Sequence, residues 1–386
     1  MRLSVQNLGP IAEADVTFGD LTILVGPQAT GKSIFLQTLK LVKDAPLIKS
    51  VLTKRGFTWA NDEVPSAFLE LVYGEGADVI WNSISKVNFN NRAFSISNKL
   101  KAKPSSSSPE KWNLAYIPAQ RGLSLANGWV KPFESYELAT PYVLKEFSDA
   151  LRLNLEMGVF TDKHKGPKLN LSKNLPLSLE AELNRVIYQN GVISIENHLS
   201  RRRITMSVGS SNVPIMTWST GQREFLPLML TLYMLLNRKA FPPDVIVIEE
   251  PEMGLHPKAI QAFLLLVLEL ISKGYRVILS THSPVVLEMA WALRFLQQAK
   301  AQAADVAKLF EVDASEELTP LFERALTAET KVYYFDRKAE DGRVYARDIS
   351  SLDAGSDDPG VAEWGGLTEF VSRAGEVVSQ VMARAL

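Results

Sequence analysis

A chain of 386 residues with no cysteine has no disulfide framework, no zinc–thiolate site and no thiol nucleophile. Charged residues at 22% and hydrophobic ones at 46% describe a globular protein rather than a disordered one. With 42 Lys and Arg against 43 Asp and Glu, a broadly basic nucleic-acid coat is excluded, although a local basic stripe is not. The length predicts about two or three compact units. Met1-Arg2-Leu3 leads to Glu13 and Asp15 without the long apolar run of a signal peptide. The most apolar stretch, Phe263 to Ile271, contains Glu269 and falls short of the roughly 20 residues that span a bilayer. A cytoplasmic protein with no membrane partner is the resulting expectation.

Leu3, Val5 and Leu8 alternate as a strand does, and Leu21 to Val25 is a short buried-strand run. A glycine-bearing turn follows. Ile34, Phe35, Leu36, Leu39 and Leu41 then recur at helical spacing. Two or three short antiparallel strands are predicted between Ala77 and Ile96, turning at Asn90-Asn91. The serine- and proline-rich segment from Lys101 to Pro109 reads as a solvated loop. Asn113 to Ile117 predicts a strand, and Glu137–Met157 and Leu177–Gln189 predict helices. Ile193–Ile195 and Ile204–Val208 are strand-like, and a strong helix is predicted over Gly221–Asn237. Val245 to Ile248 is a continuous apolar run, as in a strand buried on both faces of a parallel sheet. A helix over Pro257–Ser272, a strand over Arg276–Leu279 and a helix from Ser283 complete an α/β alternation.

Chemistry concentrates in four places. Gly26-Pro27-Gln28-Ala29-Thr30-Gly31-Lys32-Ser33 has the full P-loop pattern, between a predicted strand and a predicted helix. Backbone N–H groups must wrap phosphates there, so Gly26 and Gly31 need dihedrals closed to other residues. Lys32 is placed to meet the β- and γ-phosphates of ATP, and the Ser33 hydroxyl to meet Mg²⁺. The apolar Val245–Ile248 strand ends in Glu249 and Glu250, which puts carboxylates at the carboxyl edge of a parallel sheet, where ligands bind. Glu249 is expected to hold the metal and Glu250 to polarise the attacking water. The strand before Ser280-Thr281-His282 delivers His282 to the same edge, within reach of a γ-phosphate. Ser219-Thr220-Gly221-Gln222 opens the strong helix; read alone it is a capped helix start, and such a start can also hold an anion.

The order of these motifs resembles the ABC-type ATPase superfamily, in its SMC/RecF/OLD-like branch. That family runs through a Walker A loop, a Q-loop, a signature helix, a Walker B strand, a D-loop and a switch histidine. Here Gly26 to Ser33, Gln120 in Tyr116-Ile-Pro-Ala-Gln120-Arg121-Gly122, Ser219 to Gln222, Val245 to Glu250, Glu252 to Pro257, and His282 look like those six in the same order. Glu-Glu-Pro-Glu followed by Leu-His-Pro is similar to OLD-like ATPases rather than to transporter subunits. Two positions depart from the pattern: Thr220 stands where the signature carries glycine, and Glu249 where Walker B carries aspartate. The resemblance covers about residues 1 to 295.

The resemblance implies a P-loop NTPase of ABC-ATPase head type, with a mixed sheet, an antiparallel N-terminal β-subdomain and an inserted helical lobe. Residues 1–120 and 239–299 would form the ATPase core, 121–238 the lobe ending in the signature helix, and 300–386 a C-terminal extension. It implies ATP and Mg²⁺, with Gln120 a catalytic residue and metal ligand alongside Ser33 and Glu249, and Glu250 and His282 catalytic. Ser219, Gly221 and Gln222 would meet ATP bound to a second copy, in a head-to-tail homodimer or higher homo-oligomer. Pro132, Pro141, Pro167 and Pro176 interrupt any long coiled coil, so the lobe is expected to be compact. Arg201-Arg202-Arg203 reads as a solvated turn, or as a phosphate contact for nucleic acid. Asp341, Asp348, Asp353, Asp357 and Asp358, near strand-like Val332–Phe335, read as solvated loop residues, and no TOPRIM nuclease pattern is found from residue 296 on. The expected function is a regulatory ATPase controlling a protein effector, a nuclease or toxin, in prokaryotic anti-phage defence. The alternative is a RecF-like repair ATPase that binds DNA directly.

Overall fold

The computed structural model describes residues 1–57, 64–101, 113–126, 128–160, 168–169, 175–199, 201–237 and 242–385. The chain opens with strands β1 (Arg2–Leu8), β2 (Ile11–Thr17) and β3 (Leu21–Val25), then helices α1 (Lys32–Lys54) and α2 (Val64–Tyr73). Strands β4 (Lys86–Phe89) and β5 (Arg92–Ala93), helix α3 (Ile96–Lys101) and strand β6 (Leu114–Ile117) follow. The stretch predicted as a lobe contains β7 (Leu125–Ala126), β8 (Trp129–Val130), α4 (Tyr142–Glu156), α5 (Leu177–Leu183), β9 (Val192–His198), β10 (Arg201–Val208) and β11 (Ser211–Pro214). After it come α6 (Thr220–Asn237), β12 (Val245–Glu249), α7 (Pro257–Ser272), β13 (Arg276–Ser280) and α8 (Pro284–Gln298). The last part adds α9 (Ala303–Leu309), α10 (Thr319–Ala325), β14 (Thr330–Arg337), β15 (Val344–Asp348), α11 (Pro359–Ala362) and α12 (Glu369–Ala385).

Ten strands form one mixed sheet in the order β5-β4-β1-β2-β15-β14-β3-β13-β12-β6. From β14 to β6 every neighbouring pair is parallel. The N-terminal side is built of antiparallel pairs, β2 with β1, β1 with β4 and β4 with β5. The apolar runs read as doubly buried strands are so: every residue of β3 and β12 is buried. Successive side chains point to opposite faces. Ile246 and Ile248 therefore join a core with α6 and α7, while Val245 and Val247 join another with Phe35, Leu36 and Leu39 of α1. This is the mixed α/β architecture expected from the sequence.

Local departures have local causes. The region from Ala77 to Ile96 yields two strands rather than three, because Ala77–Ile80 forms a 3₁₀ turn. Asn90 and Asn91, at φ 49° and 63°, make the tight turn between β4 and β5. The first helix continues well past Leu41, but it bends at Asp44, whose φ of −123° is non-helical, where Pro46 cannot donate to the turn before it. The lobe is not purely helical: β9, β10 and β11 form a separate antiparallel sheet that contains both strand-like runs. Arg201, Arg202 and Arg203 lie on β10 opposite His198, Asn197 and Glu196, so the triplet is strand, not turn. Glu269, the one charge in the apolar run, is buried in α7 and takes an ion pair from Lys273 at 3.1 Å. The strands β14 and β15, from the segment without a sequence motif, insert between β2 and β3. The segment predicted as a serine-rich loop falls, from residue 102 on, outside the described residues, as does Pro167.

Candidate nucleotide site

Register brings the motifs together. Along the parallel strands Leu24 lies beside Ser280, Glu249 beside Ser280, and Ile248 beside Ile117. All four strands run the same way, so the P-loop, Gln120, Glu249-Glu250 and His282 leave the sheet at one edge.

The P-loop has the backbone a phosphate cradle needs. Gly26 has φ 141° and Gly31 φ 86°, and a side-chain carbon on Gly26 would stand 2.6 Å from the Phe335 carbonyl. Lys32 is buried and folds back to donate to the Gly26 and Pro27 carbonyl oxygens at 2.7 and 2.9 Å. Burial pushes its ammonium down to about 8, against the pull of Glu250, Glu252 and Glu249. Thr30 donates to the Pro27 carbonyl at 2.8 Å, pinning the loop from within. Arg337 of β14 donates to the Ala29 carbonyl at 2.6 Å, so the loop tip is also held from the C-terminal part of the chain. Pro27, Gln28 and Ala29 are exposed at that tip.

Glu249 ends β12 in a buried position. Burial pushes its carboxyl up, while the Ser33 and Tyr116 hydroxyls and the Ala119 backbone pull it back. Its Oε1 is nonetheless buried without a hydrogen bond of proper geometry. An unsatisfied buried carboxylate oxygen beside the P-loop serine is what a divalent cation would satisfy, so the residues present fit Mg²⁺. Among the described residues no three His, Asp or Glu side chains form a self-sufficient metal cage.

Glu250 adopts φ 42°, a left-handed conformation uncommon outside glycine and asparagine. Its N–H donates to the Ser280 carbonyl at 2.9 Å, which locks the turn onto β13. His282 Nε2 stands 3.5 Å from Glu250 Oε1. That histidine, with Lys32 and Arg121 nearby, holds the Glu250 carboxyl below its usual range despite partial burial. Glu252 Oε1 accepts from the Thr281 hydroxyl at 2.8 Å and the His282 N–H at 2.6 Å, so the turn after Glu250 positions the histidine loop.

Two supports were not legible as such. Glu252 reads in the sequence as the opening of the D-loop segment, with nothing to mark its hold on the histidine loop. Arg121 follows Gln120 and is fully buried. It donates to the carbonyls of Pro118 (3.0 Å), Glu249 (2.7 Å), Glu250 (3.1 Å) and Glu224 (3.2 Å). Glu224 in turn accepts from the Gly122 N–H at 2.9 Å. One guanidinium thus ties the Gln120 loop, the Glu249-Glu250 strand end and the first turn of α6. Arg121→Ala would leave buried carbonyls unpaired and should cost about 2–4 kcal/mol. Urea unfolding of that variant should show a lower midpoint at unchanged slope.

Gln120 itself is exposed. It lines a cavity of about 340 Å³ with Met216, Thr220, Arg223, Glu224 and Met253. Ser219 is exposed and caps α6: its Oγ accepts from Gln222 N–H at 3.3 Å, and Gln222 Oε1 from Ser219 N–H at 3.2 Å. This is a reciprocal capping box. The Gln222 amide also donates to the Ile187 carbonyl at 3.0 Å. Gly221 packs on Gly254; a side-chain carbon there would stand 2.2 Å from the Gly254 carbonyl. Gly221→Ala should therefore displace the helix start from the loop after Glu252, at about 1–3 kcal/mol. A lower melting temperature checks this. The bonds of Ser219 and Gln222 run to the lobe and to each other, not to the P-loop of the same chain.

The described acidic residues near the C-terminus act locally. Asp341 accepts from Arg343 N–H at 2.9 Å and Tyr345 O–H at 2.7 Å, and Asp358 caps α11 through Gly360 N–H at 2.9 Å.

Residues 206–288 match a family model described as "AAA domain, putative AbiEii toxin, Type IV TA system". The match spans Ser219 through His282 and leaves out the P-loop. No curated protein matches the chain. Solved structures similar to it include the SMC head domain from Thermotoga maritima, at 12% identity and a TM-score of 0.37, covering 90% of this chain and 97% of that one. Another is an Smc head domain with an extended coiled coil, bound to the C-terminal domain of ScpA, derived from Pyrococcus furiosus. It shows 11% identity and a TM-score of 0.41, over 99% of this chain and 98% of that one. A third is cbiO1 from Clostridium perfringens, part of the ABC transporter complex cbiONQ, at 14% identity and a TM-score of 0.31, over 73% and 78%. The P-loop at the edge of a mixed sheet gives this chain the fold of a P-loop NTPase, and residues 206–288 carry the AAA-domain match. No described helix is long and apolar enough to cross a membrane.

Proposed function

We propose that this chain is an ATP-driven switch: two copies close head to tail around Mg–ATP, and hydrolysis releases them. The observation carrying this reading is a division within one chain. Lys32, Glu249, Glu250 and His282 converge at one sheet edge, whereas exposed Ser219 opens α6 with its bonds turned to the lobe. A helix start of that kind binds an anion. Supplied by a second copy, it would complete the phosphate site.

Lys32 would leave the Gly26 and Pro27 carbonyls for the phosphates. Ser33 and Glu249 would hold Mg²⁺, with Gln120 from the adjoining strand end the third expected ligand; the ion supplies charge neutralisation to the phosphates. Glu250, kept ionised by His282, can only accept hydrogen bonds and so can orient and deprotonate a water. ATP that binds the closed pair better than the open chain shifts the population toward the pair.

The switch would control a protein effector, a nuclease or toxin, in prokaryotic anti-phage defence. The OLD-like order of motifs and the description of the matched family support this reading. Exposed Arg201 and Arg202 on β10 favour a second reading, direct DNA binding of the RecF kind. Strong stimulation of ATPase activity by duplex DNA alone supports the second; stimulation that requires a co-purifying protein supports the first.

The switch is tested by light scattering on Glu250→Gln, at a dilution where the nucleotide-free chain is monomeric. Mg–ATP should double the mass. An unchanged mass removes the support for a head-to-tail pair.

A further inference from the structure

The hairpin β14–β15 meets the P-loop at its start, its tip and its far glycine. At the start, a side-chain carbon on Gly26 would stand 2.6 Å from the Phe335 carbonyl, so β14 packs directly on the loop backbone. At the tip, Arg337 donates to the Ala29 carbonyl at 2.6 Å and to the Gly342 carbonyl of its own turn at 2.8 Å. On the far side, Arg343 donates to the Ile11 carbonyl at 3.0 Å, and the Val344 N–H to the Pro10 carbonyl at 3.0 Å. Side-chain atoms of Pro10 and Ile11 would each stand 3.0 Å from a side-chain carbon on Gly31.

The bond to Ala29 is the one that bears on phosphates. Ala29 has φ 59°, a left-handed conformation that alanine keeps only where its surroundings hold it. A peptide unit is planar and trans, so its carbonyl and its N–H point in opposite directions. A carbonyl of Ala29 turned to Arg337 therefore turns the Thr30 N–H away from the hairpin. Thr30 is buried and its hydroxyl goes to Pro27, yet among the described residues nothing accepts from its N–H. A buried backbone donor calls for an acceptor, and in a P-loop that acceptor is a phosphate oxygen. Arg337 enters no ion pair among the described residues; the nearby Asp336 goes to Lys338 and Arg347. Its guanidinium is held by carbonyls alone, one of them in the P-loop.

We propose that Arg337 is a positioning residue of the nucleotide site: without touching nucleotide, it fixes the Ala29–Thr30 peptide so that the Thr30 N–H is preset for the polyphosphate. This rests on the reading of the P-loop as an ATP site. A loop held in its binding conformation binds at full affinity; a released loop binds less well, in proportion to the time it spends in that conformation. P-loop N–H groups cradle the phosphates that ATP and ADP share. Loss of the hold should therefore weaken both nucleotides alike, whereas a guanidinium that reached the γ-phosphate itself would matter for ATP alone.

The test is calorimetry of Mg–ADP and of a non-hydrolysable ATP analogue on the full chain, with steady-state turnover of ATP alongside. Arg337→Ala should weaken both ligands on the order of tenfold, the worth of one hydrogen bond to a charged group at an exposed position. KM for ATP should rise by a similar factor while kcat stays unchanged, because Glu250 and His282 are untouched. Arg337→Lys keeps a cationic donor and should recover most of the loss. In the nucleotide-free chain, hydrogen exchange over residues 26–33 should quicken in Arg337→Ala and return toward wild type in Arg337→Lys.

Equal affinity of wild type and Arg337→Ala overturns the proposal. So does a loss confined to the ATP analogue, which means a direct γ-phosphate contact. A loss that Arg337→Lys leaves unrepaired, together with a lower melting temperature, also overturns it, because Arg337 then acts on the fold at large. A wild-type chain that binds neither nucleotide defeats the ATP reading itself, and this inference with it.

Discussion

Glu250→Gln should slow ATP turnover by about 10²–10⁴-fold, the usual contribution of a positioned general base. ATP binding should be nearly unchanged. The substitution keeps side-chain length, and the Glu250 N–H bond to Ser280 comes from backbone. What is lost is an ionised acceptor. His282 lies 3.5 Å away and holds the Glu250 carboxyl below its usual range. A group whose folded pKa is depressed stays charged until the pH falls below its ordinary value. The acid limb of turnover should therefore lie below about pH 4.5, unless the fold fails first. His282→Ala removes the strongest pull on the Glu250 carboxyl, so it should move the limb upward. Steady-state phosphate release and equilibrium nucleotide binding, measured on the same preparation, separate turnover from affinity.

Lys32→Ala should weaken nucleotide binding by about 10²–10⁴-fold, because charge-assisted bonds to two phosphates disappear. In the free chain this ammonium donates to two P-loop carbonyls and sits at about 8, lowered first by burial. Phosphates would raise it, since they favour the charged form. Its contribution to binding is then fully present below pH 8 and is lost as the pH rises above that value. Wild-type affinity, followed by calorimetry from neutral to alkaline pH, should fall through this window with proton uptake on binding. Lys32→Ala should show neither. An affinity that is flat from neutrality to pH 10 would mean that Lys32 does not carry the phosphates.

The sequence disclosed the site better than the scaffold behind it. Strands β3, β12 and β13 are legible because burial on both faces leaves short, mostly apolar runs. Gly26 and Gly31 are legible because the cradle requires their backbone. Arg121 was adjacent to a recognised residue yet silent: its role depends on carbonyls 3 to 129 positions away, and no local pattern encodes those. The place of β14 and β15 in the sheet was equally hidden, since pairing with β3 and β2 joins residues more than 300 apart. The three-stranded sheet in the lobe shows the reverse case, with Ile193–Ile195 and Ile204–Val208 visible as strands. The third strand β11, which pairs with β10 and is polar at Ser211 and Asn212, carries no strand signal.

In the proposed switch, Ser219 of one copy meets the P-loop of another only when ATP is bound. Two single-cysteine variants in the Glu250→Gln background, Ser219→Cys and Gln28→Cys, both at exposed positions, can be mixed and treated with a short bifunctional maleimide. Closure around ATP should give a crosslinked heterodimer with Mg–ATP and none without it. No crosslink with ATP, or an equal one in its absence, would contradict it.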